Sequence, residues 1–270
     1  MNASAEKSPN VLLVFSDQHR WCDLGCYGNE EVATPHLDQF ALNGTRYELA
    51  VSNSPLCVPA RGTILTGLHA MRHGALGNDL PIRPEVESLG TVFGRAGYRT
   101  GYIGKWHLAG VPRDQAVREE DRLGFEGWRV ANCTHAYFDS YFDNEHDRRE
   151  RIEGYEPEKQ TSLAEEWIAN GDDRPWFLTL SWGPPHSPYR PIPDEWEAYY
   201  EEKTLGLRPN AKTEYAQTMS EKALSEGEIR NQLQGYYGHI SALDALFGQL
   251  MGFLAERGAL ENTVVIYTSD

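Results

Sequence analysis

The chain has 270 residues, enough to bury a large core as one domain or to divide into two. Its 40% hydrophobic and 24% charged content is that of a globular protein, and a formal charge of -15 argues against a general nucleic-acid binder or a protein held on anionic lipid. No run approaches the roughly 20 apolar residues that span a membrane, and the polar start from Met1 to Pro9 lacks the apolar core of a signal peptide, so a cytoplasmic location is expected.

Asn10–Ser16 holds a continuous apolar run, Val11 to Phe15, which predicts a strand buried on both faces of a parallel sheet. Asp17 and Gln18 follow it, where open α/β sheets place their ligand crevice. Asp17 is a candidate metal ligand, the plainer alternative being a cap on the next turn. Cys22, Cys26, Cys57 and Cys133 form no recognisable disulfide framework, and reduced thiols are the simpler reading. Cys22 and Cys26 are spaced like half a metal site, but no second pair follows. Thr34 and Pro35 open a helix that Gly44 ends, with Leu37, Phe40 and Ala41 inward.

The stretch Ser54 to Thr63 carries Cys57, Pro59 and Arg61. Proline is tolerated in a first helical turn, so a helix opens near Val58 to Ala60 and Cys57 sits at its N-terminus. Unpaired N–H groups and the positive end of the macrodipole favour an anion there, whether a thiolate, an alkoxide or a bound sulfate. Arg61, one turn along, can reach back to the same point. The alternative is a buried structural cysteine in a Pro-capped helix. His69, Arg72 and His73 then make a small cationic cluster, and Asn78 follows; solvated surface is their alternative.

Ser88 to Ala96 reads as a short helix closed by Gly97, and Tyr98 to Ile103 as a second apolar strand. It delivers Lys105, Trp106 and His107. If extended geometry continues, Lys105 and His107 share one face and Trp106 points away, giving an anion clamp with an acid–base partner. Residues 111–160 are expected as a loop-rich insertion, charged and irregular apart from Gly124 to Trp128. Thr161 to Asn170 is an amphipathic helix, and Trp176 to Trp182 a third buried strand leading into a Pro-stiffened loop with His186. Asp194 to Glu202 reads as a helix and Lys203 to Lys222 as a polar connection. From Ser225 to Arg257 the apolar positions step by three or four, the pattern of a long amphipathic helix. Asn262 to Ser269 is a fourth strand, ending at Asp270. This alternation predicts an α/β fold with a doubly wound, mostly parallel sheet flanked by helices.

Cys57, Pro59 and Arg61 match the C-x-P-x-R signature of the sulfatases, and the separate segments from Asn10 to Asp270 stand in that family's order. The chain thus resembles the N-terminal catalytic portion of a formylglycine-dependent sulfatase of the alkaline phosphatase superfamily. The resemblance implies that Cys57 is oxidised to formylglycine by dedicated machinery and that its hydrate is the nucleophile. It also implies a divalent cation held by Asp17, Gln18, the formylglycine at 57 and Asp270, with calcium first and manganese or magnesium as alternatives. Arg61 would hold the formylglycine, Lys105 and His186 would bind the sulfate oxygens, and His107 would contact the formylglycine hydroxyl and assist release. Asn78 is carried over to the leaving-group side. The implied substrate is a small sulfate ester of a sugar, aryl or alkyl group.

Two departures stand out. Gln18 replaces the second Asp of many sulfatases, and a glutamine there also occurs in phosphonate and phosphodiester hydrolases, which makes such an activity the rival reading. The family also continues past Asp270 with a further metal ligand, a substrate-binding lysine and a smaller C-terminal domain. The single catalytic domain expected over 1–270 is therefore expected to be truncated at Asp270, with a non-catalytic fragment as a third reading.

Overall fold

A computed structural model describes residues 8–208, 211 and 224–270. The expected polar connection of Lys203 to Lys222 lies mostly outside the described residues, as does the start of the chain before Ser8. The chain divides into two compact units. The first comprises the residues up to Gln18, Tyr47–Gly183 and Gln249–Asp270; the second comprises His19–Arg46 and Pro184–Gly248.

The first unit is built on a seven-stranded sheet ordered β5-β4-β3-β2-β6-β1-β7. Its members are β1 (Asn10–Ser16), β2 (Arg99–Lys105), β3 (Gly127–Ala131), β4 (Tyr141–Asn144), β5 (Arg149–Arg151), β6 (Trp176–Trp182) and β7 (Thr263–Ser269). The five strands from β3 across to β7 run parallel, and β4 and β5 are antiparallel additions at one edge. β1 and β6 have the bounds that their apolar runs predict, because strands covered on both faces show no polar alternation to blur their ends.

Both faces of the sheet are covered over its central strands, while Val264 and Ile266 of the edge strand β7 are exposed. Successive residues of a strand point to opposite faces, and Gly101 and Tyr102 of β2 show the consequence. Gly101 and its register partner Gly127 leave a groove for Trp167, whose ring would lie 2.8 Å and 2.2 Å from a Cβ at the two positions. Trp167 belongs to α5 (Glu156–Ala169), which follows α3 (Ala70–His73) and α4 (Leu89–Arg95) in the chain. Tyr102 faces the other way, into an aromatic core with Trp106, Phe125 and Trp128, where Val58 and Leu65 of α2 (Cys57–Thr66) also pack. Each such buried side chain is worth about 1.5–3 kcal/mol relative to exposure.

The stretch 111–160 is mostly turns and irregular backbone, with short strands within it. It supplies β3, β4 and β5, and α5 begins within it, before the Thr161 start read from the sequence. These strands have only 5, 4 and 3 residues, too short for a hydrophobic period to stand out, and β5 is Arg-Glu-Arg with every residue exposed.

The second unit contains α1 (Pro35–Asn43), α6 (Asp194–Glu201) and most of α7 (Glu226–Glu256). Val32, Tyr200, Leu205, Tyr236, Tyr237 and Ile240 form its core. α1 opens after Thr34, as expected, but its first N–H groups are capped from elsewhere: Asp244 of α7 accepts from His36 N at 3.1 Å and Leu37 N at 2.7 Å. Among the described residues no helix is long and apolar enough to cross a membrane.

Candidate active site

The parallel strands β2, β6, β1 and β7 are neighbours in that order, so their carboxyl ends share one edge of the sheet. Each has a polar residue at or next to its end: Lys105, Ser181, Asp17 and Asp270 respectively. Across β1 and β7, Ser16 pairs with Ser269 in register, which sets Asp17 and Asp270 side by side. The N-terminus of α2 adds Cys57 and Arg61.

Arg61 ties these pieces together, and its side chain is fully buried. One terminal nitrogen donates to Asp17 Oδ2 at 3.0 Å, and the other donates to the Lys105 carbonyl and to Ser181 Oγ, both at 2.8 Å. Its Nε lies 2.7 Å from Asp270 Oδ2, and its guanidinium sits 5.1 Å over the Phe15 ring. Burial opposes the charge, but Asp270 and Asp17 outweigh it and the Arg61 pKa is raised. Lys105 Nζ donates to the same Asp17 oxygen at 2.6 Å. The Lys105 carbonyl also accepts from Tyr102 Oη at 2.8 Å and Ser181 Oγ at 2.9 Å, which fixes the end of β2.

Cys57 is the first residue of α2 and is half-buried. Its Sγ donates to Asp17 Oδ1 at 3.4 Å. Burial first, and then the charge of Asp17, push the thiol up to about 12. The thiolate expected at a helix N-terminus is therefore disfavoured: desolvation and a carboxylate outweigh a macrodipole worth about 0.3–1 kcal/mol. Asn78 is next to this point, its Oδ1 accepting from Val58 N at 3.2 Å, so it satisfies one of the unpaired donors of α2.

His107 does not continue the strand. Its φ is 58°, and its backbone N–H donates to the Asn132 carbonyl, so the shared face expected for Lys105 and His107 does not come from extended geometry. Trp106 does point into the apolar core. The His107 ring is 3% exposed and neither of its nitrogens has a hydrogen-bond partner among the described residues. Burial and the nearby charges of Lys105 and Arg61 push the imidazole down to about 3, so it is neutral at neutral pH. A buried ring with both nitrogens unpaired is an exception that calls for an external partner.

Gln18 presents its backbone N–H to Asp270 Oδ1 at 3.1 Å. Its φ of 60° turns the chain sharply at the end of β1. Burial pushes the Asp270 carboxyl up to about 6, with the charge of Asp17 adding to the effect and Arg61 working against it. The buried carboxylates of Asp17 and Asp270 are hard oxygen donors of the kind that bind a divalent cation of the calcium or magnesium type.

His186 lies on the loop after β6, within the second unit, where its Nδ1 pairs with the Ser187 carbonyl at 2.7 Å. The other sequence candidates have structural partners. His73 is buried against Gly62 and accepts at Nδ1 from Ala75 N at 3.2 Å, and His69 pairs with Asn53 at 2.9 Å. All four cysteines are free. Sequence reasoning missed Ser181 and Tyr102, which brace Arg61 and the Lys105 carbonyl. A serine and a tyrosine inside apolar strands were the only signal.

The Sulfatase family profile matches residues 9–270. An ulvan-active sulfatase of Formosa agariphila is 33% identical over 265 residues, covering 97% of this chain and 50% of that protein. An N-acetylglucosamine-6-O-sulfatase of Bacteroides thetaiotaomicron is 23% identical over 334 residues, with 98% and 58% covered. A solved 4S-sulf structure from Bacteroides thetaiotaomicron superimposes with a TM-score of 0.87 at 26% identity, covering 97% of this chain and 61% of its own. The chain spans about half the length of the first of these relatives.

Proposed function

The chain belongs to the sulfatase family, and from that premise we propose that it contributes the catalytic site for hydrolysis of a sulfate ester, with residue 57 as formylglycine. The names of its ulvan-active and N-acetylglucosamine-6-O-sulfatase relatives support a sulfated saccharide as the substrate. The single observation that carries the reading is the gathering of Asp17, Cys57, Arg61, Lys105 and Asp270 at the carboxyl edge of the sheet.

A sulfate monoester resists hydrolysis because its oxygens repel nucleophiles and its alkoxide leaves poorly. Lys105 and Arg61 offset the charge that develops in the transition state, and their burial strengthens that interaction. Asp17, Asp270 and Gln18 would hold a divalent cation, which would polarise a sulfate oxygen and lower the pKa of a hydroxyl at residue 57. A hydrated formylglycine offers two hydroxyls, one to attack sulfur and one to expel the sulfate afterwards; a thiol held near 12 offers neither. His107 would contact the formylglycine hydroxyl and assist release, both of its ring nitrogens being unpaired among the described residues. Arg61 positions residue 57 by fixing Asp17, and Asn78 keeps the first turn of α2 in place. For His186 we retain the sulfate-binding role that the resemblance implies.

The test is the mass of the peptide containing residue 57 in protein from the native host, with turnover of an aryl sulfate. Conversion to formylglycine lowers the mass by about 18 Da and supplies the required nucleophile. A retained thiol sinks the proposal. Gln18 is the one residue that favours the phosphonate or phosphate diester alternative; faster turnover of an aryl phosphonate ester than of the aryl sulfate would select it.

A further inference from the structure

α7 carries Gly235, Gly238 and His239 in consecutive turns, all buried. A glycine in a helix interior lowers helix stability, so each needs a local reason. At Gly235 the reason is a backbone: a Cβ there would stand 2.0 Å from the Tyr189 carbonyl oxygen and 2.9 Å from its carbon. At Gly238 a Cβ would meet Ile192 Cδ1 at 2.2 Å, the movable end of a side chain, so the first contact is the stricter. Beside them the His239 ring, 0% exposed, donates to the Pro188 carbonyl, and Tyr189 meets Tyr236 edge-on at 5.6 Å. Two successive carbonyls of the loop after β6 thus rest on one face of α7, one against a missing side chain and one on an imidazole. The loop is held by its backbone, and His186 stands just ahead of the held residues, its Nδ1 paired with Ser187 O.

We infer that Gly235 and His239 are positioning residues for His186, placing its imidazole to bind an anionic oxygen. This rests on the role proposed above for His186 and adds what holds it. Neither residue touches substrate; a methyl group at 235 must push the Tyr189 carbonyl, and with it the loop, off the helix.

The test uses the whole chain with Gly235→Ala and His239→Gln, and with Gly252→Ala as the control, because a Cβ at Gly252 in the same helix meets nothing within 4 Å. Both alanine substitutions raise helix propensity equally, so a difference between them reports the loop contact. Binding of inorganic sulfate, followed by calorimetry and by the His186 ring signals, is expected to weaken about tenfold in Gly235→Ala and His239→Gln, the loss of roughly one hydrogen bond to an ion. KM for an aryl sulfate rises in step while kcat changes less. Gly252→Ala stays within about twofold. In a His186→Ala background, Gly235→Ala should change sulfate affinity by less than about twofold, since the effect then has nothing to act through. Thermal melts check folding, and His239→Gln carries the test if Gly235→Ala unfolds. Equal behaviour of Gly235→Ala and Gly252→Ala overturns the inference, as does an undiminished effect without His186 or a wild-type chain in which sulfate leaves the His186 signals unmoved. Sulfate binding that depends on Gly235 in a chain that turns over no aryl sulfate would remove the proposed reaction and leave the positioning role standing.

Discussion

Lys105 Nζ lies 2.6 Å from Asp17 Oδ2, with 3% and 0% of the two side chains exposed. Asp17 also receives Arg61 and the Cys57 thiol, so a single carboxylate at the end of β1 organises three other groups. Removing one partner of a buried pair leaves an uncompensated charge at a cost of about 3–5 kcal/mol. Lys105→Met should therefore lower the urea-unfolding free energy by roughly 3 kcal/mol, with Arg61 still present to limit the loss. A change below about 1 kcal/mol, the size expected of an exposed pair, would show that the pairing is not formed in solution.

Arg61→Lys preserves the charge but not the fork. The guanidinium reaches Asp17, Ser181, the Lys105 carbonyl and Asp270 together, and an ammonium cannot span them. At least two charge-assisted contacts should be lost, with a fall of about 2–4 kcal/mol in stability and on the order of 100-fold in kcat. Full activity in the lysine variant would place the catalytic charge elsewhere.

His107 should stay neutral. Burial, then Lys105 and Arg61, hold its pKa near 3, so its ring carbon protons should not titrate between pH 5 and 8 by NMR. The folded chain then binds fewer protons than the unfolded one between about 3 and 6.5, so this group makes stability rise with pH across that window. His107→Ala is expected to reduce kcat by about 10²–10⁴, the contribution of a positioned acid–base group. A ring that titrates near 6.5 would contradict its burial among cations.

Asp244 gives pH dependence of the opposite sign. Burial pushes its carboxyl up to about 6 from its ordinary value of 3.8, although the Leu37 and His36 N–H groups favour the anion. Between those values the folded chain keeps a proton that the unfolded chain releases, so the stability contributed below about 4 is lost as pH rises through 6. The span corresponds to about 2–3 kcal/mol at most. Urea melts at pH 4.5 and 7.5 should show a smaller difference in Asp244→Asn than in the wild type once other groups are subtracted; identical slopes would assign the dependence elsewhere.

What the sequence by itself determined is local. Asn10–Ser16 and Trp176–Trp182 are strands with their observed bounds because unbroken apolar runs can be satisfied only between two covered faces. Cys57, Pro59 and Arg61 announce a helix N-terminus and, through their resemblance, a family. Tertiary structure decided the rest, because the deciding energies act between segments far apart in the chain. β4 and β5 are short strands that exist by pairing, β4 onto β3 and β5 onto β4, with no hydrophobic period of their own. An unmodified Cys57 is held as the neutral thiol because folding buries it beside Asp17, against the pull of its own helix. Ser181 and Tyr102 look like minor interruptions of apolar strands, and only register places their hydroxyls on the Lys105 carbonyl. Gly235 reads as a weak point in a helix until the Tyr189 carbonyl is found where its side chain would be.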